Sequence, residues 1–362
     1  MKASSILSLM ASASLAFADV SLREAAKNIL IGVAANSNRF GDEAYIEATS
    51  QFNYMVAENG CKLSGIQAVQ GVYDFSDCDA HYNKAVELGM KFRGHCLVWH
   101  NYQPEWFQNL NGKDMRKAIV EHITTVLTHY KGKIDTWDVV NEAMDDADNG
   151  GWSMANTYIY QQVPDIMELA FKTAREVDPE VKLFYNDFKR IRSVVTFMKE
   201  MVERGVPIDG VGWQYHVNIG HYYSYEDMVE IMGQFADLGL EIQITEMDVD
   251  GLTSGSEEEF AKEAEIYADA LRACLDSSNC TAFLVWGVGD NDSWINGYPL
   301  LFDSNYAPKP AYYSLINLLK QRNNITDEEV EVTDTTLTDT ENEVEVSAEE
   351  VTDTVEDSEF SN

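Results

Sequence analysis

The stretch Ile134-Asp135-Thr136-Trp137-Asp138-Val139-Val140-Asn141-Glu142 decides how this chain is read. Its β-branched and aromatic residues predict a buried strand. The strand runs straight into an Asn-Glu pair, followed by a polar loop, residues 145–151, rich in Asp, Asn and Gly. A carboxylate at a strand's exit is a place for chemistry.

A second stretch, Glu241-Ile242-Gln243-Ile244-Thr245-Glu246-Met247-Asp248-Val249, repeats the design with Glu246 near its end. A single strand-end Glu is more often a surface carboxylate capping the next helix. Two of them, each leaving its own strand, suit a reaction that needs an acid and a nucleophile facing one bond, as glycoside hydrolysis does.

Around these two stretches, strand-like runs alternate with helical ones. Strands are expected to begin near Ile29, Phe52, Lys91, Ile134, Lys182, Gly210, Glu241 and Thr281. Between them, Met115, Ile119, Ile123, Val126, Leu127 and Tyr130 recur at helical period, as do Phe260, Ala264, Tyr267, Ala268, Leu271 and Leu275. Eight strand-helix units without a linker predict an α/β chain forming a single (β/α)8 TIM barrel. An open doubly wound sheet is the competing architecture. Its Gly-rich phosphate loop is missing after the first strand, where Ile31-Gly32-Val33-Ala34-Ala35-Asn36 stands.

A barrel gathers its reactive groups at the C-terminal ends of the strands. There the sequence offers Glu58, Asn59 and Lys62; His95, Trp99 and His100; Asn141 and Glu142; Tyr185, Asn186 and Asp187; Gln214 and His216; Glu246 and Asp248; Trp286 and Trp294. Singly, a His or Trp is more often a packed core side chain. Together, flat aromatic surfaces beside amides, imidazoles and carboxylates suit a ring with apolar faces and hydroxyl edges, a sugar.

Other chemistries fit less well. His95, His216, Glu246 and Asp248 are metal-capable, but lack the i, i+4 spacing of a helical zinc motif, and Asp146, Asp148, Asn149 and Gly150 resemble a calcium loop without its closing Glu. No metal and no cofactor is expected. There is no Gly-x-Ser-x-Gly elbow, and Cys96 lies in an apolar strand that disfavours a thiolate.

The 362 residues carry a formal charge of −35, which argues against nucleic acid or an acidic membrane as a partner. Fifteen of the acidic residues fall within residues 326–362, which have no Lys or Arg, so residues 323–362 are read as a disordered acidic tail. Residues 1–18 read as a secretory signal: Lys2, a weakly apolar run, and small residues at Ala16 and Ala18. The catalytic domain is then 19–322, in a secreted chain expected to act as a monomer and to span no membrane. Secretion permits disulfides. The candidate pairs are Cys274 with Cys280 and Cys61 with Cys78, leaving Cys96 as a buried thiol. Of the glycosylation sequons at Asn279, Asn291 and Asn324, only Asn324 is expected to be freely accessible.

The motifs Arg93-Gly94-His95-Cys96-Leu97-Val98-Trp99-His100, Trp137-Asp138-Val139-Val140-Asn141-Glu142-Ala143, Ile244-Thr245-Glu246-Met247-Asp248 and Trp286-Gly287-Val288 through Asp292-Ser293-Trp294 resemble glycoside hydrolase family 10, the retaining endo-β-1,4-xylanases, over residues 29–319. The resemblance implies xylan and xylo-oligosaccharides as substrates, Glu142 as acid/base and Glu246 as nucleophile, their carboxyl groups about 5 to 5.5 Å apart. It makes His216 and Asp248 the tuning pair of Glu246, and Asn141 the partner of a sugar 2-hydroxyl. Glu58, Asn59, Lys62, His95, Trp99, Gln214, Trp286 and Trp294 become glycone-side walls. The chain departs from the family where Cys61 and Leu63 flank Lys62 in place of Met and Trp, and where Tyr102 stands in place of Gln. Both departures lie near the distal sugar subsite. The alternatives are a related β-1,4-glucanase and a non-catalytic polysaccharide-binding barrel.

Overall fold

The computed structural model describes residues 20–148 and 151–326. The expected signal and nearly all of the expected tail lie outside them. The chain divides into a unit Met1–Asn324 and a segment Ile325–Asn362, and the fold belongs to the first.

Eight parallel strands form the barrel: β1 Leu30–Ala35, β2 Tyr54–Ala57, β3 Lys91–Trp99, β4 Thr136–Asn141, β5 Lys182–Asp187, β6 Gly210–Trp213, β7 Glu241–Asp250 and β8 Cys280–Val285. They pair in chain order, and the pairing of β8 with both β7 and β1 closes the sheet. Each begins within two residues of its expected start. Strands β2 and β4 are buried at every position, as a strand packed on both faces must be.

Helix Gly112–Tyr130 starts on Asn111, whose side chain accepts from the Lys113 and Asp114 amides, and it buries the expected face. Helix Glu257–Asp276 differs. Tyr267 and Leu271 are buried, but the buried stripe also takes in Ile266, Ala270 and Cys274, while Phe260, Ala264, Ala268 and Leu275 are only half-buried. The cause is Glu263, a charged residue that hydrophobic periodicity assigns to solvent. It is fully buried because Lys309 Nζ donates to its Oε1 at 2.9 Å.

Charge also crosses the barrel interior. Arg93, with no exposed surface, donates through Nε to Asp138 Oδ2 (2.9 Å) and through Nη1 to Gln243 Oε1 (2.5 Å), and Gln243 Nε2 reaches Thr281 Oγ1 (2.9 Å), linking β3, β4, β7 and β8. Removing one partner of such a pair strands a buried charge, at about 3–5 kcal/mol. Gly94 is required beside it, since a Cβ there would lie 2.1 Å from the Trp137 ring.

Disulfides join Cys61 to Cys78 and Cys274 to Cys280, and Cys96 is a buried free thiol whose ionisation burial opposes strongly. The Asn279 amide is tied to the Met232 and Leu240 carbonyls. Asn324 is exposed as expected, but so is Asn291, which lies in the loop after β8. No helix among the described residues is long and apolar enough to cross a membrane.

Candidate active site

Glu142 is the first residue after β4 and sits at φ +56°, a left-handed conformation rare for a non-glycine residue. This kink turns its side chain into the barrel mouth, where Oε2 accepts the Trp99 indole N–H (2.8 Å) and Oε1 accepts Asn141 Nδ2 (3.1 Å) and Gln214 Nε2 (3.0 Å). From below, Tyr160 donates its hydroxyl to the Asn141 carbonyl at 3.0 Å.

Glu246 lies within β7. Its Oε1 accepts Asn186 Nδ2 at 2.6 Å, and its Oε2 is 3.2 Å from His216 Nε2. The other nitrogen of His216, Nδ1, meets Asp248 Oδ2 at 2.9 Å. A short strand, His216–Asn218, pairs with the end of β7 so that His216 stands opposite Asp248. Burial lowers the proton affinity of His216, but the Asp248 charge and the hydrogen bonds outweigh it and raise the pKa to about 10. The same proton works on Glu246. Burial would raise that carboxyl, yet the His216 hydrogen bond and the nearby imidazoles hold it below its ordinary value.

The two glutamates share a cleft of about 310 Å³ with Glu58, Asn59, Lys62, His95, Trp99, Tyr102, Asn141, Phe188, Gln214, His216, Trp286 and Trp294. Every residue given a role at the site lines this cleft except Asp248, which lies buried behind His216; of the others expected on the rim, Tyr185, Asn186 and Asp187 are fully buried and His100 lies outside the cleft. At one end Lys62 Nζ donates to Asn59 Oδ1 (3.0 Å) and sits 4.6 Å from the Trp99 ring centroid and 5.0 Å from that of Tyr102. His95 is held by Asp138 Oδ2 at 3.0 Å and meets the edge of Trp286. Trp294, 64% exposed, anchors its indole N–H on Asp248 Oδ2 at 2.9 Å.

Two roles and one residue escape the sequence reading. Asn186, placed on the rim but given no role, links the two halves by donating to both Asn141 Oδ1 (2.8 Å) and Glu246 Oε1. Trp99 is more than a wall, because it donates to Glu142. Phe188, 50% exposed, follows the Tyr185-Asn186-Asp187 rim, the signal that should have pointed to it.

Residues 21–318 match the family model described as glycosyl hydrolase family 10. The chain belongs to that family. It is 51% identical over 310 residues to endo-1,4-beta-xylanase B of Neocallimastix patriciarum, covering 83% of this chain and 35% of the relative. To endo-1,4-beta-xylanase B of Thermotoga neapolitana it is 34% identical, covering 84% and 93%. Among solved structures, xylanase 10B from Thermotoga petrophila RKU-1, in complex with xylobiose, superposes with a TM-score of 0.79 at 37% identity, covering 85% of this chain and 99% of that one. This family 10 chain thus spans about a third of the first relative and nearly all of the second.

Within the family 10 barrel, the two departures at the distal end become physical. Cys61 is tied to Cys78, which fastens the Lys62 loop to helix Ser76–Glu87. Tyr102 stacks on Trp99 with ring centroids 5.6 Å apart.

Proposed function

We propose that the protein is a secreted endo-β-1,4-xylanase that cleaves internal bonds of xylan with retention of configuration. The observation that carries the reading is the Asp248-His216-Glu246 chain, which keeps one buried carboxylate ionised in a cleft that also holds Glu142.

In the first step Glu246 attacks the anomeric carbon while Glu142 gives its proton to the departing oxygen, and a covalent glycosyl-enzyme forms. In the second step Glu142 takes a proton from water, which attacks the same carbon and releases the sugar. Asn141, held by Asn186 and Gln214, is the partner of the 2-hydroxyl. The remaining cleft residues present the aromatic and polar surface of a glycan site. Similarity to several xylanases and to a xylobiose complex supports xylan as substrate, and the two disulfides support secretion.

The bulk of Tyr102 and Trp294 at the cleft disfavours a sugar with an exocyclic hydroxymethyl, so xylose is preferred to glucose. Release rates from aryl xylobioside and aryl cellobioside test this. Equal rates would remove the steric argument, and faster release from the cellobioside would favour a glucanase.

A further inference from the structure

Two residues expected on the rim, Tyr185 and Asp187, reach no part of the cleft, yet both are completely buried. They lie on β5 with Asn186 between them. Successive side chains of a strand alternate, so while Asn186 reaches into the barrel mouth to Asn141 and Glu246, its two neighbours point to the opposite face. There they meet the chain that carries Glu142.

The left-handed turn at Glu142 is fastened at three successive residues. The Asn141 carbonyl accepts the Tyr160 hydroxyl (3.0 Å), the Glu142 amide donates to the Asn186 carbonyl (2.9 Å), and the Ala143 amide donates to the Tyr185 hydroxyl (3.0 Å). Tyr185 in turn donates its hydroxyl to Asp187 Oδ2, and Asp187 Oδ1 accepts the Lys189 amide at 2.9 Å. A residue held in a sparsely populated backbone region stays there only when its surroundings over-determine it. These bonds do so for Glu142 at φ +56°.

Asp187 is the unusual member. It makes no ion pair among the described residues, Lys189 being paired with Asp145 at 2.9 Å, and burial pushes its carboxyl up to about 7. A buried carboxyl without a counter-ion costs stability. The Lys189 bond makes it a cap of the loop that follows β5, but that role does not call for Tyr185.

We infer that Tyr185 and Asp187 are positioning residues of the reaction: the chain from the Ala143 amide through the Tyr185 hydroxyl to the Asp187 carboxyl locks the turn and so aims Glu142 at the departing oxygen. The inference rests on the xylanase reading. Tyr185 and Asp187 touch no substrate and act only through Glu142.

The test compares kcat/KM for xylotetraose and for dinitrophenyl xylobioside, whose leaving group departs without a proton. Tyr185→Phe keeps the ring and removes both hydrogen bonds, so it should lose about tenfold on xylotetraose, the size of one hydrogen bond to a charged group, and only about twofold on the aryl substrate. Asp187→Asn keeps an acceptor for the Tyr185 hydroxyl and should lose less, about threefold on xylotetraose. A general loss of folded protein would depress both substrates alike, so equal losses would overturn the inference, as would a larger loss in Asp187→Asn than in Tyr185→Phe. The crystal structure of Tyr185→Phe judges the clamp whatever the substrate proves to be. Glu142 should turn so that its bond from the Trp99 indole opens beyond about 3.5 Å, and an unmoved Glu142 would overturn the inference. Cleavage of xylotetraose by the unmutated protein reports separately on the xylanase reading.

Discussion

His216 Nε2 stands 3.2 Å from Glu246 Oε2, so the nucleophile of the proposed reaction shares a proton-bearing neighbour with Asp248. With its pKa raised to about 10, His216 stays cationic through neutral pH. For a group whose folded pKa is raised, the stability contribution is complete below about 6.5 and disappears as pH climbs through about 10. Activity on the alkaline side should fall over the upper part of that window. His216→Gln removes a charge-assisted bond of about 1.5–3 kcal/mol, expected to lower kcat about ten- to hundredfold. Without the imidazolium the Glu246 carboxyl rises, so the acid limb of kcat/KM should move to higher pH. A pH-rate profile with an unmoved acid limb would contradict this role.

Glu142 and Glu246 should fail differently. Loss of the acid matters most when the leaving group is poor, so Glu142→Ala should lose far more activity on xylan than on an aryl xylobioside whose phenol leaves without protonation. Glu246→Ala should lose both. Comparing the two substrates across the two variants checks the assignment, and equal losses for Glu142→Ala would speak against an acid role.

His122 gives the fold an acid weakness remote from the chemistry. It is buried on helix Gly112–Tyr130 beside the Tyr73 ring, neither nitrogen has a hydrogen-bond partner among the described residues, and burial pulls its pKa down to about 4. A lowered histidine favours the neutral form: its stabilisation is present above about 6.5 and is lost as pH falls towards 4. The loss is on the order of 3 kcal/mol. Urea midpoints measured at pH 7 and pH 4.5 should therefore lie closer together in His122→Leu than in the parent. An unchanged gap would remove His122 from the account.

The Cys61–Cys78 bridge closes a 17-residue separation and lies next to Lys62. Chain entropy assigns such a loop about 3 kcal/mol. The double variant Cys61→Ala/Cys78→Ala should melt several degrees lower. It should also raise KM for xylo-oligosaccharides more than it changes kcat, because the freed loop positions Asn59 and Lys62 and not the two glutamates. A fall confined to kcat would show that the bridge acts elsewhere.

Eight strand-like runs alternating with helical ones, and the carboxylates that end two of them, are enough to read the barrel and to bring Glu142, Glu246, His216 and Asp248 to one rim, because in a parallel barrel the rim follows from chain direction alone. What escaped depends on contacts between strands distant in sequence. Asn186 bridges β4 to β7 through a single amide, and no local pattern distinguishes it from a packed strand-end Asn. Trp99 reads as a glycone-side wall, and its N–H reaches Glu142 only because Glu142 takes the left-handed turn. Likewise Glu263 reads as a solvent-facing helix residue until Lys309, far along the chain, supplies its buried counter-charge.

The most direct test of the central claim is to trap the covalent intermediate. Incubation with a 2-deoxy-2-fluoro xylobioside carrying an activated leaving group, followed by proteolysis and mass spectrometry, should find one fluoro-xylobiosyl group on the peptide containing Glu246, and His216→Gln should slow its appearance. A label on Glu142, or steady turnover to an inverted product with no label at all, would contradict the account.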